Sequence, residues 1–241
     1  MSYRALATDY DGTLAEDGKV RPAVVEALGR VKERGTRLLL VTGRELDELM
    51  QIFPRIDLFD AVVAENGALL YLPDPPTEIP LAKPPPETFS EALRAHGVGP
   101  VRTGRIIVAT WEPHETTVLE IIREQGLELE VIFNKGAVMV LPSGVNKGSG
   151  VRAALERLGV AASETVAIGD AENDHSLFDA CGTSAAVANA IPALAQKADI
   201  VTYGARGDGV IEVCEEILAS APDKKRTPSP RSRRERGGQR A

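Results

Sequence analysis

Asp9-Tyr10-Asp11-Gly12-Thr13 lies at the end of the chain's first apolar run, which starts near Arg4, and its position decides the fold. An apolar stretch that ends in an acidic, glycine-containing loop reads as a buried strand followed by a turn. Beyond the loop, Val20, Val24, Leu28 and Val31 recur at helical spacing, with Pro22 near the helix start and Gly35 after its end. Leu38, Leu39, Leu40 and Val41 are continuously apolar, as in a strand covered on both faces. Strand, loop, helix and strand in this order predict a parallel sheet with helical crossovers. A second helix is expected from Glu45 to just before Pro54, and residues 61–64 supply another short buried strand. The same texture returns at residues 166–168, 184–188 and 200–201, with helical stretches between them. The sheet is therefore interrupted and then resumed.

The interruption, residues 73–142, differs in composition. Pro73-Asp74-Pro75-Pro76 and Pro84-Pro85-Pro86 cannot continue a strand and are expected to run as extended linker. A helix at 88–96, a strand at 106–110, a helix at 115–125 and two strands at 128–133 and 137–141 follow. The last two flank Asn134-Lys135-Gly136, a hairpin-turn sequence. The expected architecture is an α/β core over residues 1–74 and 143–221, a Rossmann-like, doubly wound parallel sheet. A small α+β cap is inserted over residues 75–142, and a basic tail covers 222–241.

Charge follows the same division. The 241 residues carry a formal charge of −7, but eight of the 28 basic residues fall within 222–241 against two acidic ones. The body is left with 20 basic and 33 acidic residues, so it should not attract nucleic acid. The tail is rich in Pro, Ser, Gly and Arg, is expected to be disordered, and is suited at most to weak contact with a polyanion. No apolar run approaches the roughly 18 residues of a membrane span, and residues 1–6 lack a signal-peptide pattern. Cytoplasm is the expected location. Cys181 and Cys214 are isolated, without metal or redox spacing, and read as small core residues of a chain that does not need disulfides.

Four motifs carry chemistry. Asp9 and Asp11 fall at the carboxyl end of a parallel strand, where open α/β sheets build their sites. Carboxylates at i and i+2 beside a glycine suit phosphoryl transfer, in which the first attacks phosphorus and the second exchanges a proton with the leaving oxygen. An Asx-type turn is the plain alternative. Thr42 and Gly43, in Val41-Thr42-Gly43-Arg44, bring a hydroxyl and a helix amino terminus towards phosphate oxygens, or simply cap the helix. Lys147, in Asn146-Lys147-Gly148, either neutralises charge on nucleophile and phosphate or is a solvated surface group. Gly169-Asp170-Ala171-Glu172-Asn173-Asp174 offers hard oxygen ligands for Mg²⁺, or a turn. Chance accounts poorly for all four in this order on one alternating chain.

With these residues, and with Asn66-Gly67-Ala68 as a further signature, the chain resembles the haloacid dehalogenase superfamily and its Cof-like branch, subclass IIB, with a C2-type cap. The resemblance covers residues 4–218. It implies that Asp9 is the nucleophile, that Asp11 is the general acid and then the base, and that Thr42, Gly43, Lys147 and Asn173 hold the phosphoryl group. It further implies that Mg²⁺ binds Asp9, the Asp11 carbonyl and Asp170, supported by Asp174, Asn66 and Asn189.

The implied reaction is hydrolysis of a small phosphate monoester such as phosphoglycolate, a sugar phosphate or a pyrimidine phosphate. The short insertion resembles the compact caps of archaeal-type phosphoglycolate phosphatases. Within it, Arg102, Arg105, Trp111, His114 and Lys135 are the groups best able to read a leaving group. A single Trp also packs, and His114 also begins a helix. Two rivals remain at this point. A phosphomannomutase-like enzyme would return the phosphoryl group to sugar, and a non-catalytic phosphometabolite-binding protein would have lost a motif residue. The oligomeric state stays open between monomer and dimer.

Overall fold

The structure, a computed structural model, describes residues 3–220; the tail of residues 222–241, with its expected disorder and polyanion contact, lies outside the described residues. The chain runs β1 (Ala5–Asp9), α1 (Pro22–Glu33), β2 (Arg37–Val41), α2 (Leu46–Ile52), β3 (Ala61–Ala64), β4 (Leu69–Pro73) and β5 (Pro76–Pro80). It continues through α3 (Glu87–Ala95), β6 (Arg102–Thr103), β7 (Val108–Trp111), α4 (Glu115–Glu124), β8 (Leu129–Asn134) and β9 (Ala137–Pro142). It closes with α5 (Lys147–Leu158), β10 (Thr165–Gly169), α6 (His175–Asp179), β11 (Thr183–Ala186), α7 (Pro192–Lys197), β12 (Ile200–Val201) and α8 (Gly207–Ala219).

Strands of the core form an eight-stranded sheet in the order β12-β11-β10-β1-β2-β3-β4-β5. All pairs from β12 to β3 are parallel. The continuous apolar runs are explained by burial on both faces. Leu6, Leu38, Leu40 and Val62 pack towards α1 and α8, while Ala5, Ala7, Leu39 and Val41 pack towards α5 and α6. Alternate residues of one strand thus feed two cores, and β1 lies centrally with Asp9 at its carboxyl end.

The proline-rich entry departs from the expected extended linker. Leu69–Pro73 and Pro76–Pro80 pair antiparallel as an edge hairpin, with Pro73 opposite Pro76. Prolines are tolerated there because they sit at strand ends and on the outermost strand, where no neighbour asks for their missing N–H. Residues 76–80, expected within the insertion, thus pair with the core sheet, and the insertion's own sheet starts with β6.

That second sheet has the order β6-β7-β9-β8 and is wholly antiparallel. Its β9 alternates cleanly. Val138 and Val140 face Phe89, Leu93, Val118 and Ile121 of α3 and α4, whereas Met139 and Leu141 turn towards Ala68 and Ile106 at the junction with the core.

Glu65 ties the two sheets together. It has no exposed surface, and its carboxylate accepts hydrogen bonds from the backbone N–H groups of Arg105 (2.7 Å), Ile106 (2.7 Å) and Ile107 (2.9 Å). This explains why the strand expected from residue 106 begins only at Val108: the preceding amides are spent on Glu65. A Cβ at Gly104 would stand 2.6 Å from the same carboxylate, so only glycine fits. Both Glu65 and Asn66 take left-handed backbone, at φ 50° and 54°, a strained pair that this packing must hold in place.

Glu65→Gln replaces an acceptor with a donor facing an N–H, so the amides of residues 105–107 should exchange at least about tenfold faster by hydrogen–deuterium exchange; unchanged protection would show that Glu65 does not hold the segment. Burial pushes the thiols of both Cys181 and Cys214 up to about 12. Neither ionises at pH 8, so a disulfide reagent should titrate both rapidly only in denaturant.

Candidate active site

The carboxyl ends of β1, β2 and β10 and the amino end of α5 converge on one point. Asn146 caps α5 through a reciprocal pair: its side chain accepts from Ser149 N (3.0 Å), and its own N–H donates to Ser149 Oγ (2.9 Å). The cap fixes Lys147 as the first helical residue with its side chain turned inward. Lys147 Nζ donates to Asp9 Oδ1 and to Asp174 Oδ1, both at 2.6 Å. The other Asp174 oxygen accepts from the amides of Asp170 (2.9 Å) and Ala171 (3.0 Å), which fastens the loop after β10.

Oxygens of Asp9, Asp170 and Asp174 lie within 4.8 Å of one another. Burial pushes the Asp9 carboxyl up to about 8, against the pull of Lys147 and with further push from Asp174 and Asp170. Asp170 is also raised, first by burial, while Lys135 opposes the shift. Burial alone would discharge Lys147, but Asp174 and Asp9 outweigh it and hold the ammonium charged. The cluster therefore favours an added cation, and its donors are hard oxygens of the kind Mg²⁺ prefers.

Thr42 is fully buried at the end of β2. Its Oγ1 accepts from Arg44 N (3.1 Å), which leaves its O–H free to donate. Asn173 Nδ2 donates to Asn66 Oδ1 (2.9 Å), and Asn66 N donates to Thr42 O (2.9 Å). Asn173 Oδ1 and Asn66 Nδ2 are buried without partners. Asn189 Nδ2 donates to Gly12 O (2.9 Å), and its Oδ1 accepts from Arg206 N (2.7 Å), so it braces the Asp9–Thr13 loop from outside.

A cavity of about 320 Å³ opens above these groups, lined on the core side by Asp9, Asp11, Gly43, Arg44 and Asn173. Ala109, Trp111 and Met139 of the second sheet and Ile107 just before it line the cavity from the other side. Among the leaving-group readers, Arg102 and Trp111 reach the cavity, with the Arg102 guanidinium 5.7 Å from the Trp111 ring centre. Arg105 is instead held by Asp47 and Glu78. His114 precedes α4 as its cap and does not line the cavity. Lys135 reaches past the cavity to the acidic cluster itself, donating to Asp11 O (2.7 Å) and Asp170 Oδ2 (2.9 Å).

Arg44 is the residue that motif reasoning left without a role. Its guanidinium forks onto both Asp11 oxygens, at 2.7 and 2.8 Å, and its third arm holds Glu48. The signal was present in Val41-Thr42-Gly43-Arg44, but no spacing rule says that a helix-start arginine folds back onto a loop 33 residues earlier.

Comparison with known proteins assigns the family. The family model described as haloacid dehalogenase-like hydrolase matches residues 6–84 and 106–214. A phosphoglycolate phosphatase of Methanothermobacter thermautotrophicus is 34% identical over 224 residues, covering 89% of this chain and 99% of that protein. A haloacid dehalogenase-like hydrolase from Bacteroides thetaiotaomicron superposes with a TM-score of 0.76 at 21% identity, covering 90% of this chain and 100% of that one. A subclass IIB sugar phosphatase gives 0.74 at 20%, covering 89% and 99%. The chain belongs to the haloacid dehalogenase-like hydrolases.

Proposed function

We propose that the chain is a Mg²⁺-dependent phosphatase that hydrolyses a small phosphate monoester through an aspartyl-phosphate on Asp9. The observation that carries this reading is a buried carboxylate at a cavity floor, at the end of the central strand, already hydrogen-bonded to a buried ammonium. Asp9, Asp170 and the Asp11 carbonyl would hold the metal ion, with Asp174 behind them. When bound, the ion neutralises charge on the phosphoryl oxygens and on Asp9.

In the first half-reaction an Asp9 oxygen bonds to phosphorus as the ester P–O bond breaks, and Asp11 gives its proton to the leaving oxygen. In the second, water attacks the same phosphorus, Asp11 takes a proton from it, and the Asp9–phosphorus bond breaks to release inorganic phosphate. Lys147 holds the Asp9 carboxylate in place and faces the developing charge. The Thr42 hydroxyl supplies a donor to a phosphoryl oxygen. Turning over both Asn173 and Asn66 amides reverses the bond between them and presents Asn173 Nδ2 as another. Phosphoryl transfer gains most from such placement of charge.

Arg44 acts on Asp11. Its fork occupies both Asp11 oxygens, so one arm must let go whenever Asp11 passes a proton to the leaving oxygen. The relative from Methanothermobacter is named for phosphoglycolate and the subclass IIB structural neighbour for sugar phosphates. A small phosphorylated acid or sugar is accordingly the proposed substrate class.

Inorganic phosphate release from a panel of such esters should require Mg²⁺, stop with EDTA, and fall by at least about a thousandfold in Asp9→Asn. Phosphoryl transfer to an added sugar without release of phosphate would overturn the hydrolase reading. Arg44→Lys keeps a charge but loses the fork, so kcat should drop by about ten- to a hundredfold with KM little changed; a rise in KM alone would place Arg44 on the substrate instead.

A further inference from the structure

Lys135 occupies the tip of the β8–β9 hairpin. Asn134 and Ala137 are paired, which leaves a two-residue loop of Lys135 and Gly136 at φ 50° and 82°. Two central residues with positive φ give the tight turn whose twist matches the flanking strands, so the tip is a fixed projection of the second sheet. Its ammonium ends on Asp11 O and Asp170 Oδ2. Gly12 makes room for it: a Cβ there would stand 2.6 Å from Lys135 Nζ and 2.4 Å from Asp170 Oδ2. The Asp170 side chain is 5% exposed and that of Lys135 46%, so the lysine enters from solvent onto an otherwise closed acidic floor.

The charges around that floor need this cation. Asp9, Asp170 and Asp174 face one another, with Lys147 bonded to the first and last of them. Arg44 is committed to Asp11 and Glu48. Asn189 offers Asp170 Oδ2 only a long contact at 3.5 Å, and Thr13 Oγ1 bonds the other oxygen at 3.2 Å. Among the described residues, Lys135 alone forms an ion pair with Asp170.

We propose that Lys135 is a positioning residue that locks the hairpin tip of the second sheet onto the acidic centre, and that a divalent cation competes with this lock for Asp11 O and Asp170 Oδ2. The inference rests on the metal-ligand reading of those two oxygens given above. Two cations cannot share them at contact distance, since like charges a few ångströms apart repel. Loading the metal therefore expels the ammonium. Because the ammonium belongs to a rigid hairpin, its expulsion frees the second sheet to lift from the cavity mouth. The ordering that results is metal first, then phosphate ester, then reclosure.

The test is metal binding in the absence of any ester, by calorimetry with Mg²⁺ and by Mn²⁺ paramagnetic resonance, on wild type, Lys135→Asn, Lys135→Arg and Asp170→Asn. Asparagine tolerates the left-handed backbone but is too short to reach the floor. Lys135→Asn should bind metal at least about tenfold more tightly than wild type, Lys135→Arg should stay near wild type, and Asp170→Asn should lose binding. Trp111, the only tryptophan of the chain and part of the same sheet, should change its fluorescence on metal addition in wild type and not in Lys135→Asn. Equal affinity in wild type and Lys135→Asn, with binding still lost in Asp170→Asn, would overturn the competition and leave the metal reading standing. Failure of all four proteins to bind metal would overturn both.

Discussion

Lys147 is 1% exposed and stands 2.6 Å from both Asp9 and Asp174. An unpaired ion in that position would cost several kcal/mol of desolvation, and removing one partner from such a group leaves the others stranded. The three residues consequently exist as one unit. The rest of the architecture serves to bring them together, since they come from β1, from the start of α5 and from the loop after β10. Asp174 adds a second duty by accepting two loop amides, so the charge balance of the site and the shape of the loop beyond β10 stand or fall together.

The turn at residues 65–67 serves the same unit from another side. Glu65 grips the insertion, Asn66 meets Asn173 beside the cavity, and Gly67 lies against the start of α5, where a Cβ would stand 1.9 Å from Asn146 O. Three consecutive residues thus fix the entry of the second sheet, one wall of the cavity and the position of the helix that carries Lys147. Backbone strain at Glu65 and Asn66 is tolerable because all three contacts depend on it. The base of the second sheet and the acidic floor are in this way referred to one short turn, and the hairpin end of that sheet reaches the floor only through Lys135.

Much of this was legible in the chain. Buried strands announce themselves as unbroken apolar runs, and their carboxyl ends place Asp9, Thr42 and Asp170 without knowledge of any contact. Lys147 was legible for a similar local reason, as Asn146-Lys147-Gly148 stands at the start of a helix where the core resumes; the cap made by Asn146 was not. What could not be read was pairing across distance. Arg44 onto Asp11, Glu65 onto the amides of residues 105–107 and Lys135 onto Asp170 each join elements that touch only after the fold closes. The β4–β5 hairpin escaped for a different reason: proline content argues against strands in general, but not against an edge strand whose outer side has no partner.

Asp11 shows most plainly how the two sheets divide the chemistry. Its side chain is set by a core residue, Arg44, while its carbonyl oxygen is held by Lys135 of the insertion. Movement of the insertion therefore acts on the backbone of the residue proposed to carry the proton, and leaves the fork on its carboxylate intact. A cap that contacted only the leaving group would gate access and nothing more. One that grips the Asp9–Thr13 loop, as Lys135 does, would on the proposed mechanism also alter the electrostatic setting of the proposed nucleophile and acid as it moved, and so couple water entry to the protonation chemistry that water entry requires.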